Sequence, residues 1–278
     1  MDLYTRTALA CSRLTTKKYS TSFSLGIGIF DRKYHIPIYA VYGFVRFADE
    51  IVDTFHEQDQ QALLARFSSD TFEAIEQKFS TNPILHSFQW VVNQYGIDHE
   101  LIRAFLHSME MDLVKKTFSE EEYNRYIYGS AEVIGAMCLR IFYQNDDQQY
   151  HELLPGARKL GSAFQKINFL RDIQDDYENR GRIYFPGTTF ANFLTYRKKE
   201  IEADIKKDFV EALTGIRKLH PGVRNGVYLA FRYFLELLKK IEKTPAGDIL
   251  QRRFRITSRQ KLILLVKAWL RNKAGRIR

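Results

Sequence analysis

The chain has 278 residues, a formal net charge of +9 and 45% hydrophobic residues. Its length suffices for one large core or two small domains, and a content of only six prolines and fifteen glycines argues against an all-β or loop-rich fold. The positive charge is compatible with nucleic acid, anionic lipid or an anionic small substrate, and it does not choose among them.

The hydrophobic periodicity predicts an all-α chain, and we find no strand period and no internal repeat. Capping signals support the boundaries, since Ser119 with Glu122 forms a capping box and Gly181 suits a helix end. The first five predicted helices cover residues 3–19, 34–55, 57–80, 83–95 and 98–116. A sixth helix begins at residue 119 and includes residues up to 136, and the next covers 149–178. A charged helix follows after residue 192, and the last two cover 221–243 and 257–270.

The first helix is amphipathic, with Leu3, Ala10 and Leu14 on one side. The stretch that follows it, from Tyr19 to Ile29, is rich in hydroxyl groups and glycine, which predicts a loop. Such a loop offers O–H and N–H donors to an anion, and an ordinary connector is the alternative interpretation.

The helix over 34–55 is apolar nearly all round, which is typical of a buried helix. Its polar exceptions share one face through spacings of three and four, and they are Tyr42, Arg46, Asp49 and Asp53. Because burying such groups uncompensated is costly, they indicate either a functional site or an ion pair of Arg46 with Asp49 on a solvent-facing stripe.

The helix over 149–178 carries a second polar face. Gln165, Asn168, Asp172 and Asp176 follow each other about one turn apart. Two carboxylates at this spacing repel each other by roughly a few tenths of a kcal/mol, unless a cation lies between them. The opposite side, predicted to pack against other helices, carries Ile167, Leu170 and Ile173.

Two such carboxylate pairs, on two helices, suit several magnesium ions and a diphosphate. Magnesium binds oxygen ligands, usually one or two carboxylates with substrate phosphates and water, and it stabilises a diphosphate as the C–O bond breaks. Tyr, Phe and Trp make up 14% of the chain, enough for an aromatic cavity that shelters a carbocation. Since Asp pairs at this spacing are also common on surface helices, a solvated face is the alternative.

Two further stretches have open interpretations. Aromatic and small residues alternate from Tyr123 to Ala136, which lets helices approach closely or leaves room for a ligand. The dense basic run from Arg252 to Lys261 fits a solvated face, a diphosphate or anionic lipid headgroups.

Targeting signals and cysteines add little. Cys11 and Cys138 form no C-x-x-C pair, so we expect two buried thiols in a reducing compartment. The N-terminal residues lack the apolar core of a signal peptide, and no run of about eighteen apolar residues occurs. We therefore expect a soluble cytoplasmic protein, with peripheral membrane contact as an additional expectation.

Four stretches in this order resemble a known family. They are Tyr19-Ser-Thr-Ser-Phe-Ser, Tyr42-Gly-Phe-Val-Arg-Phe-Ala-Asp-Glu-Ile-Val-Asp, Tyr126-Ile-Tyr-Gly with Ala131 and Gly135, and Gln165-Lys-Ile-Asn-Phe-Leu-Arg-Asp-Ile-Gln-Asp-Asp through Arg182-Ile-Tyr-Phe-Pro. Over nearly the whole chain the sequence resembles the squalene/phytoene synthase family, in particular bacterial phytoene synthases of carotenoid biosynthesis. The resemblance implies an all-α isoprenoid synthase fold, a single-domain helical bundle over residues 1–278 around a central cavity.

The resemblance also implies an activity. It points to a Mg²⁺-dependent prenyltransferase, with Mn²⁺ as the alternative metal, that joins two geranylgeranyl diphosphates head to head. The product is phytoene, formed through a cyclopropyl diphosphate, prephytoene diphosphate. The nearest alternative keeps the fold and condenses farnesyl diphosphate to squalene or dehydrosqualene. Prenyl length, use of NADPH and oligomeric state stay open.

The resemblance assigns roles to matching residues. The implied metal ligands are Asp49, Asp53, Asp172 and Asp176, with Asn168 assisting. The implied diphosphate contacts are Arg46, Arg171 and Arg182, with Arg253 and Lys261 as looser matches. The implied cover over the site carries Ser20 and Ser22. The implied lining of the reaction chamber includes Tyr42, Tyr126 and Gln165.

The sequence departs from the family pattern in two places. Glu132 stands among residues that are commonly small, where it either changes the pocket shape or points outward and pairs with a base. Asp175 adds a third acid to the second motif, so the metal ligands among Asp172, Asp175 and Asp176 stay open.

Other classes of function fit less well. A non-catalytic scaffold has no need to keep like charges on an apolar helix. We expect no nucleic-acid partner, because the recognisable motifs are acidic. The basic helix from Thr257 to Arg278 is the candidate for membrane contact.

Overall fold

The computed structural model describes residues 1–189, 193 and 195–250. Within these residues the chain is all-α, as predicted, with a single isolated bridge between Thr117 and Ile183. The twelve described α-helices are α1 Leu3–Tyr19, α2 Thr21–Ile27, α3 Arg32–Asp53, α4 Gln60–Gln77, α5 Pro83–Tyr95, α6 His99–Val114, α7 Glu120–Ile127, α8 Val133–Phe142, α9 Asp147–Arg180, α10 Thr195–Lys218, α11 Pro221–Glu242 and α12 Ala246–Ile249. None of these helices is long and apolar enough to cross a bilayer.

The predicted helix boundaries are confirmed where capping signals define them. Ser119 accepts a hydrogen bond from the Glu122 amide while the Glu122 carboxylate accepts one from the Ser119 amide. Gly181 ends α9 with a positive φ of 63°. The predicted helix over 257–270 lies outside the described residues.

The loop predicted after α1 is wrong in part, because residues Thr21–Ile27 form α2. The Ser20 hydroxyl, interpreted as a helix breaker, instead caps the new helix and accepts a hydrogen bond from the Phe23 amide at 3.2 Å. The segment thus turns at Ser20 and resumes a helix.

The hydrophobic core contains two main clusters. In the first, Phe44 of α3 is stacked on Phe88 of α5 with ring centroids 3.8 Å apart. The second surrounds α9, and it buries the predicted apolar side of that helix, which comprises Ile167, Leu170 and Ile173. The polar side of α9 is thereby directed away from this core.

The apolar side predicted for α1 is not its buried side. Leu3 and Leu14 are 71% and 58% exposed, whereas small and hydroxyl-bearing residues on the other side are buried. Ser12 is one of these, and its Oγ lies 2.5 Å from Ser87 Oγ of α5. A Cβ atom on Gly43 of α3 would lie only 2.7 Å from Ser12 Oγ. Close backbone approach, which needs small side chains, therefore outweighs hydrophobicity in orienting α1.

Close approach also explains the alternation of aromatic and small residues after Tyr123. A five-residue π-helical turn, Tyr128–Glu132, joins α7 to α8. A Cβ atom on Gly129 in this turn would lie 2.3 Å from the carbonyl oxygen of Ala104 in α6. One on Gly135 would lie 2.6 Å from the carbonyl oxygen of Ala157 in α9. The small residues thus set the spacing of the helices around this turn.

Gly129→Ala should destabilise the protein by about 1–3 kcal/mol, because the added methyl group meets a rigid backbone carbonyl. Urea unfolding followed by circular dichroism measures this loss. The matched control is Gly247→Ala, since a Cβ atom at that position meets nothing within 4 Å. Equal stabilities of the two variants would contradict the packing argument.

Candidate active site

A cavity of about 490 Å³ lies among the helices. Its apolar walls come mainly from α2, α3, α8, α9 and α11, and include the ring pair Phe164 and Phe234, stacked with centroids 3.9 Å apart. The predicted site residues that line it are Ser20, Ser22, Tyr42, Arg46, Asp49, Tyr126, Gln165, Asn168 and Arg171. The predicted central cavity is therefore present, with polar groups concentrated on α3 and α9.

The first carboxylate pair lies on α3. Arg46 forms ion pairs with Asp49 and Glu50 and stacks over the Tyr19 ring at 4.5 Å. The predicted Arg46–Asp49 pair is thus present, but on the cavity wall rather than on a solvent-facing stripe. No role was predicted for Glu50, although its spacing of four residues from Arg46 indicates an ion pair between them.

The second pair lies on α9 just beyond the lining residues Asn168 and Arg171, and Asp172 and Asp176, like Asp53, are not part of the lining itself. Arg171 Nε donates to Asp172 Oδ1 at 2.9 Å, and Arg180 Nη1 donates to Asp176 Oδ1 at 3.2 Å. The third acid of this motif, Asp175, is exposed, whereas Asp176 is 8% exposed. Of the adjacent acids, Asp176 is therefore the one directed into the protein.

Arg180 joins the two pairs. Its Nη2 lies 3.0 Å from Asp53 Oδ1, and its Nη1 lies 3.2 Å from Asp176 Oδ1. One guanidinium thus bridges α3 and α9, so Asp53 and Asp176 face each other. This arrangement is what the chemistry of two cooperating carboxylate pairs requires.

Burial makes two of these carboxylates, Asp49 and Asp176, costly to ionise. The pKa of Asp49 is raised, first by burial and then by the charge of Asp53. Burial likewise raises the pKa of Asp176 to about 7; Arg180 opposes this shift, while the charges of Asp172 and Asp53 add to it. A cation bound beside these groups would favour their ionised forms.

The donor atoms fit a hard divalent cation. All are oxygens, which suit Mg²⁺ and Mn²⁺, and the buried Oδ1 of Asn168 has no hydrogen-bond partner among the described residues. Over the same residues, no three acidic, His or Cys side chains converge on one point. Each ion would therefore draw on few carboxylates, which is usual for magnesium bound together with phosphates and water.

Arg182 is the predicted diphosphate contact that the structure places elsewhere. It is 8% exposed, is not part of the cavity wall, and donates to the buried carboxylate of Asp112 at 3.3 Å. The hydroxyls of Tyr126 and Tyr184 donate to the same carboxylate at 2.6 and 3.0 Å. Since a buried carboxylate occupies its guanidinium, Arg182 anchors the segment after α9 to α6.

Asp112 is the main residue missing from the sequence analysis. Burial raises its pKa to about 6, against the opposing effects of Arg182 and the Tyr126 hydroxyl. Because Tyr126 also lines the cavity, Asp112 orients a wall residue of the site. An acidic residue near a helix end resembles a solvated one in sequence, and only its apolar flanks, Met111 and Leu113, hinted at burial.

Further predicted positions have clear outcomes. Glu132 points away from the cavity and pairs with Arg158 at 2.7 Å, so the second of its two interpretations is confirmed. Gln165 accepts a hydrogen bond from Asn168 at 3.3 Å. The cysteines are free thiols, partly buried rather than fully buried. Positions outside the described residues are Arg253, Lys261 and the helix Thr257–Arg278.

Asp176→Asn should change how stability depends on pH in metal-free buffer. The pKa of Asp176 is about 7 in the folded protein against 3.8 without its surroundings. The folded state therefore binds this proton more tightly, so the stabilisation is present at low pH and lost as pH rises through about 7. Between about pH 5 and 7, the free energy of unfolding of the wild type should fall relative to the variant by up to about 1.4 kcal/mol per pH unit.

Urea unfolding in EDTA across this range measures the difference. The matched control is Asp175→Asn, which removes a neighbouring exposed acid. Parallel profiles for the wild type and Asp176→Asn would contradict the burial argument.

Arg182→Met should cost about 3–5 kcal/mol of stability, because it leaves the Asp112 carboxylate buried without its cation. Thermal and urea unfolding measure the loss. Arg125→Met is the control, since Arg125 pairs with Glu121 at the surface, and such pairs contribute about 1 kcal/mol or less. If Arg182→Met kept full stability and only weakened diphosphate binding, the anchoring role would be wrong.

Known proteins with similar sequences and structures identify the family. The model of the family described as squalene/phytoene synthase matches residues 16–260. The phytoene synthase of Arthrospira platensis is 26% identical over 93% of this chain and 91% of its own length. The 4,4'-diapophytoene synthase of Staphylococcus haemolyticus is 26% identical over 69% of this chain and 67% of its own length.

The crystal structure of a dehydrosqualene synthase superposes with a TM-score of 0.80 at 20% identity, covering 97% of this chain and 98% of that one. The match confirms the predicted isoprenoid synthase fold. Together with the family model, which spans most of the sequence, these similarities show that the chain belongs to the squalene/phytoene synthase family.

Proposed function

We propose that this protein is a Mg²⁺-dependent prenyltransferase, with Mn²⁺ as an alternative metal, that condenses two geranylgeranyl diphosphates to phytoene through prephytoene diphosphate. The observation that carries the proposal is the bridge by Arg180 between Asp53 and Asp176, one from each Asp motif, beside an apolar cavity that Asp49 lines. Relatives named phytoene synthase support the product. One domain over residues 1–278 and a cytoplasmic location are parts of the same proposal.

The polar end binds the diphosphate groups. Arg46 and Arg171 line the cavity and offer planar guanidinium groups that suit phosphate oxygens. When bound, a divalent cation neutralises the diphosphate as its C–O bond breaks. The residues that would hold it are Asp49, Asp53, Asp172 and Asp176, with the amide oxygen of Asn168.

The apolar walls protect the cationic stage. Breaking the C–O bond leaves an allylic cation that alkylates the second substrate, and proton loss closes the cyclopropane ring. Tyr42 and Phe164 line the cavity and present aromatic rings to a cation while excluding water. The pKa of Tyr126 is raised well above its ordinary value, chiefly by burial, so its phenol stays neutral through the second ionisation, rearrangement and proton loss.

The length of the cavity supports a long chain. Lining residues on α9 run from Leu153 to Arg171, about 27 Å at the rise of an α-helix. An extended geranylgeranyl chain, with carbon–carbon bonds of about 1.5 Å in zigzag, is about 19 Å long. The shorter farnesyl chain also fits this span. Farnesyl diphosphate condensation to squalene or dehydrosqualene is therefore the second candidate, and the dehydrosqualene synthase fold match is the observation that favours it.

The test is incubation with geranylgeranyl and farnesyl diphosphates side by side, with Mg²⁺, Mn²⁺ or EDTA and with or without NADPH. We expect diphosphate release and phytoene from the geranylgeranyl substrate, without NADPH, and loss of both in EDTA. Product identification by mass spectrometry distinguishes the candidates. Squalene or dehydrosqualene as the main product would replace phytoene in the proposal.

Matched variants test the site itself in the same assay. Asp49→Ala and Asp172→Ala should each lower turnover by about 10²-fold or more, because each removes a group that stabilises the departing charge. Asp175→Asn, at an exposed acid beside them, should keep turnover near that of the wild type. Full turnover in either alanine variant would refute the metal assignment.

A further inference from the structure

The exposed face of α1 is unusual in carrying an apolar stripe. Leu3 and Leu14 are 71% and 58% exposed, and Ala10 between them is also exposed. Spacings of seven and four residues place all three on one side of the helix. The opposite side packs on α3 and α5, so this stripe is the part of α1 left toward solvent.

Basic residues flank the stripe on both sides. At 3.6 residues per turn, Arg6, Arg13 and Lys17 lie along one edge and Lys18 along the other. All four are exposed, and α1 contains no acidic residue. Apolar side chains bordered by long cationic ones are typical of a helix that lies in the interface of an anionic membrane. A second copy of the same face would instead bring like charges together, which is unfavourable.

The cavity opens beside the C-terminal end of α1. Ser20 separates α1 from α2, and its amide donates to the Thr16 carbonyl at 2.9 Å, which fixes the turn. On α2, Phe23 and Leu25 both line the cavity and are 45% and 41% exposed. Side chains that belong at once to the cavity wall and to the surface mark an apolar opening.

We propose that the exposed face of α1 docks on a membrane surface with anionic lipid headgroups, and that this contact brings the opening at Phe23 and Leu25 to the bilayer. The inference rests on the proposed function in one respect, since a prenyl chain would pass through this opening from the lipid phase. It assigns membrane contact to α1, whereas the predicted basic helix Thr257–Arg278 lies outside the described residues. Leu3 and Leu14 insert, and the flanking basic groups contact lipid phosphates.

Co-sedimentation of the full-length protein with vesicles tests the docking. The vesicles contain phosphatidylcholine with or without phosphatidylglycerol, and we expect stronger binding to the anionic ones. Leu3→Ser/Leu14→Ser should weaken binding to anionic vesicles at least about tenfold, since two apolar side chains no longer insert. Arg13→Ala/Lys17→Ala should weaken it to a similar degree and remove the preference for anionic vesicles.

The control is Val210→Ser on α10, whose side chain is 69% exposed; its binding should equal that of the wild type. Because the substituted side chains are exposed, all variants should keep the thermal unfolding midpoint and the turnover of the wild type on detergent-dispersed substrate. The proposal would be overturned if Leu3→Ser/Leu14→Ser bound anionic vesicles as tightly as the wild type does. It would also be overturned if Val210→Ser weakened vesicle binding as much as that double variant does. A third contrary result would be a wild-type dimer in sedimentation equilibrium that becomes monomeric in Leu3→Ser/Leu14→Ser while vesicle binding stays unchanged.

The two proposals fail separately. If no prenyl diphosphate yields a hydrocarbon, the proposed function is wrong, but the vesicle assay, which needs no turnover, still decides the docking. If turnover is normal and vesicle binding ignores α1, only the docking is wrong.

Discussion

The structure depends on negative charge concentrated at one end of an apolar cavity. Asp49 and Asp53 of α3 and Asp172 and Asp176 of α9 each pair with a guanidinium group, and Arg180 links one aspartate of each helix. Arginine suits this task better than lysine, because its planar fork can contact two carboxylates at once and stays charged when buried. Arg180 does so between Asp53 and Asp176. Each carboxylate is costly alone, yet Arg180 offsets two of them and links α3 to α9.

Close packing of the helices surrounds the cavity beside these charged groups. Where the π-helical turn meets α6, and where Gly135 meets the Ala157 carbonyl, no Cβ atom fits. Backbones in direct contact fix the positions of α6, α8 and α9, while larger aromatic groups such as Phe164 and Phe234 form the walls between them. The cavity is therefore bounded by rigid contacts, which suits the exclusion of water that the proposed cation chemistry requires.

Sequence reasoning predicted the features that have short-range signals. The spacing of four between Asp49 and Asp53, and between Asp172 and Asp176, fixes which groups share a helix face, and the capping box at Ser119 fixes a helix start. It missed features that depend on contacts distant in sequence. Asp112 and Arg182 are seventy residues apart, and nothing local shows that one neutralises the other. The buried side of α1 was not predicted, because close packing of the small residue Ser12 against Gly43 determines which side of the helix faces the protein. The apolar residues Leu3 and Leu14 face solvent instead.

The buried network behind the site makes the polar groups there compatible with the proposed cation chemistry. A free basic group on the cavity wall would remove a proton from a carbocation too early. Asp112 is kept away from the cavity wall and has its oxygens occupied by Arg182 and two tyrosine hydroxyls. Burial also keeps the Tyr126 phenol neutral, since its pKa is raised far above the ordinary value. The wall near Tyr126 therefore presents a neutral phenol that the carboxylate behind it orients. The absence of a free base at this part of the wall follows from hydrogen bonding rather than from the absence of polar residues.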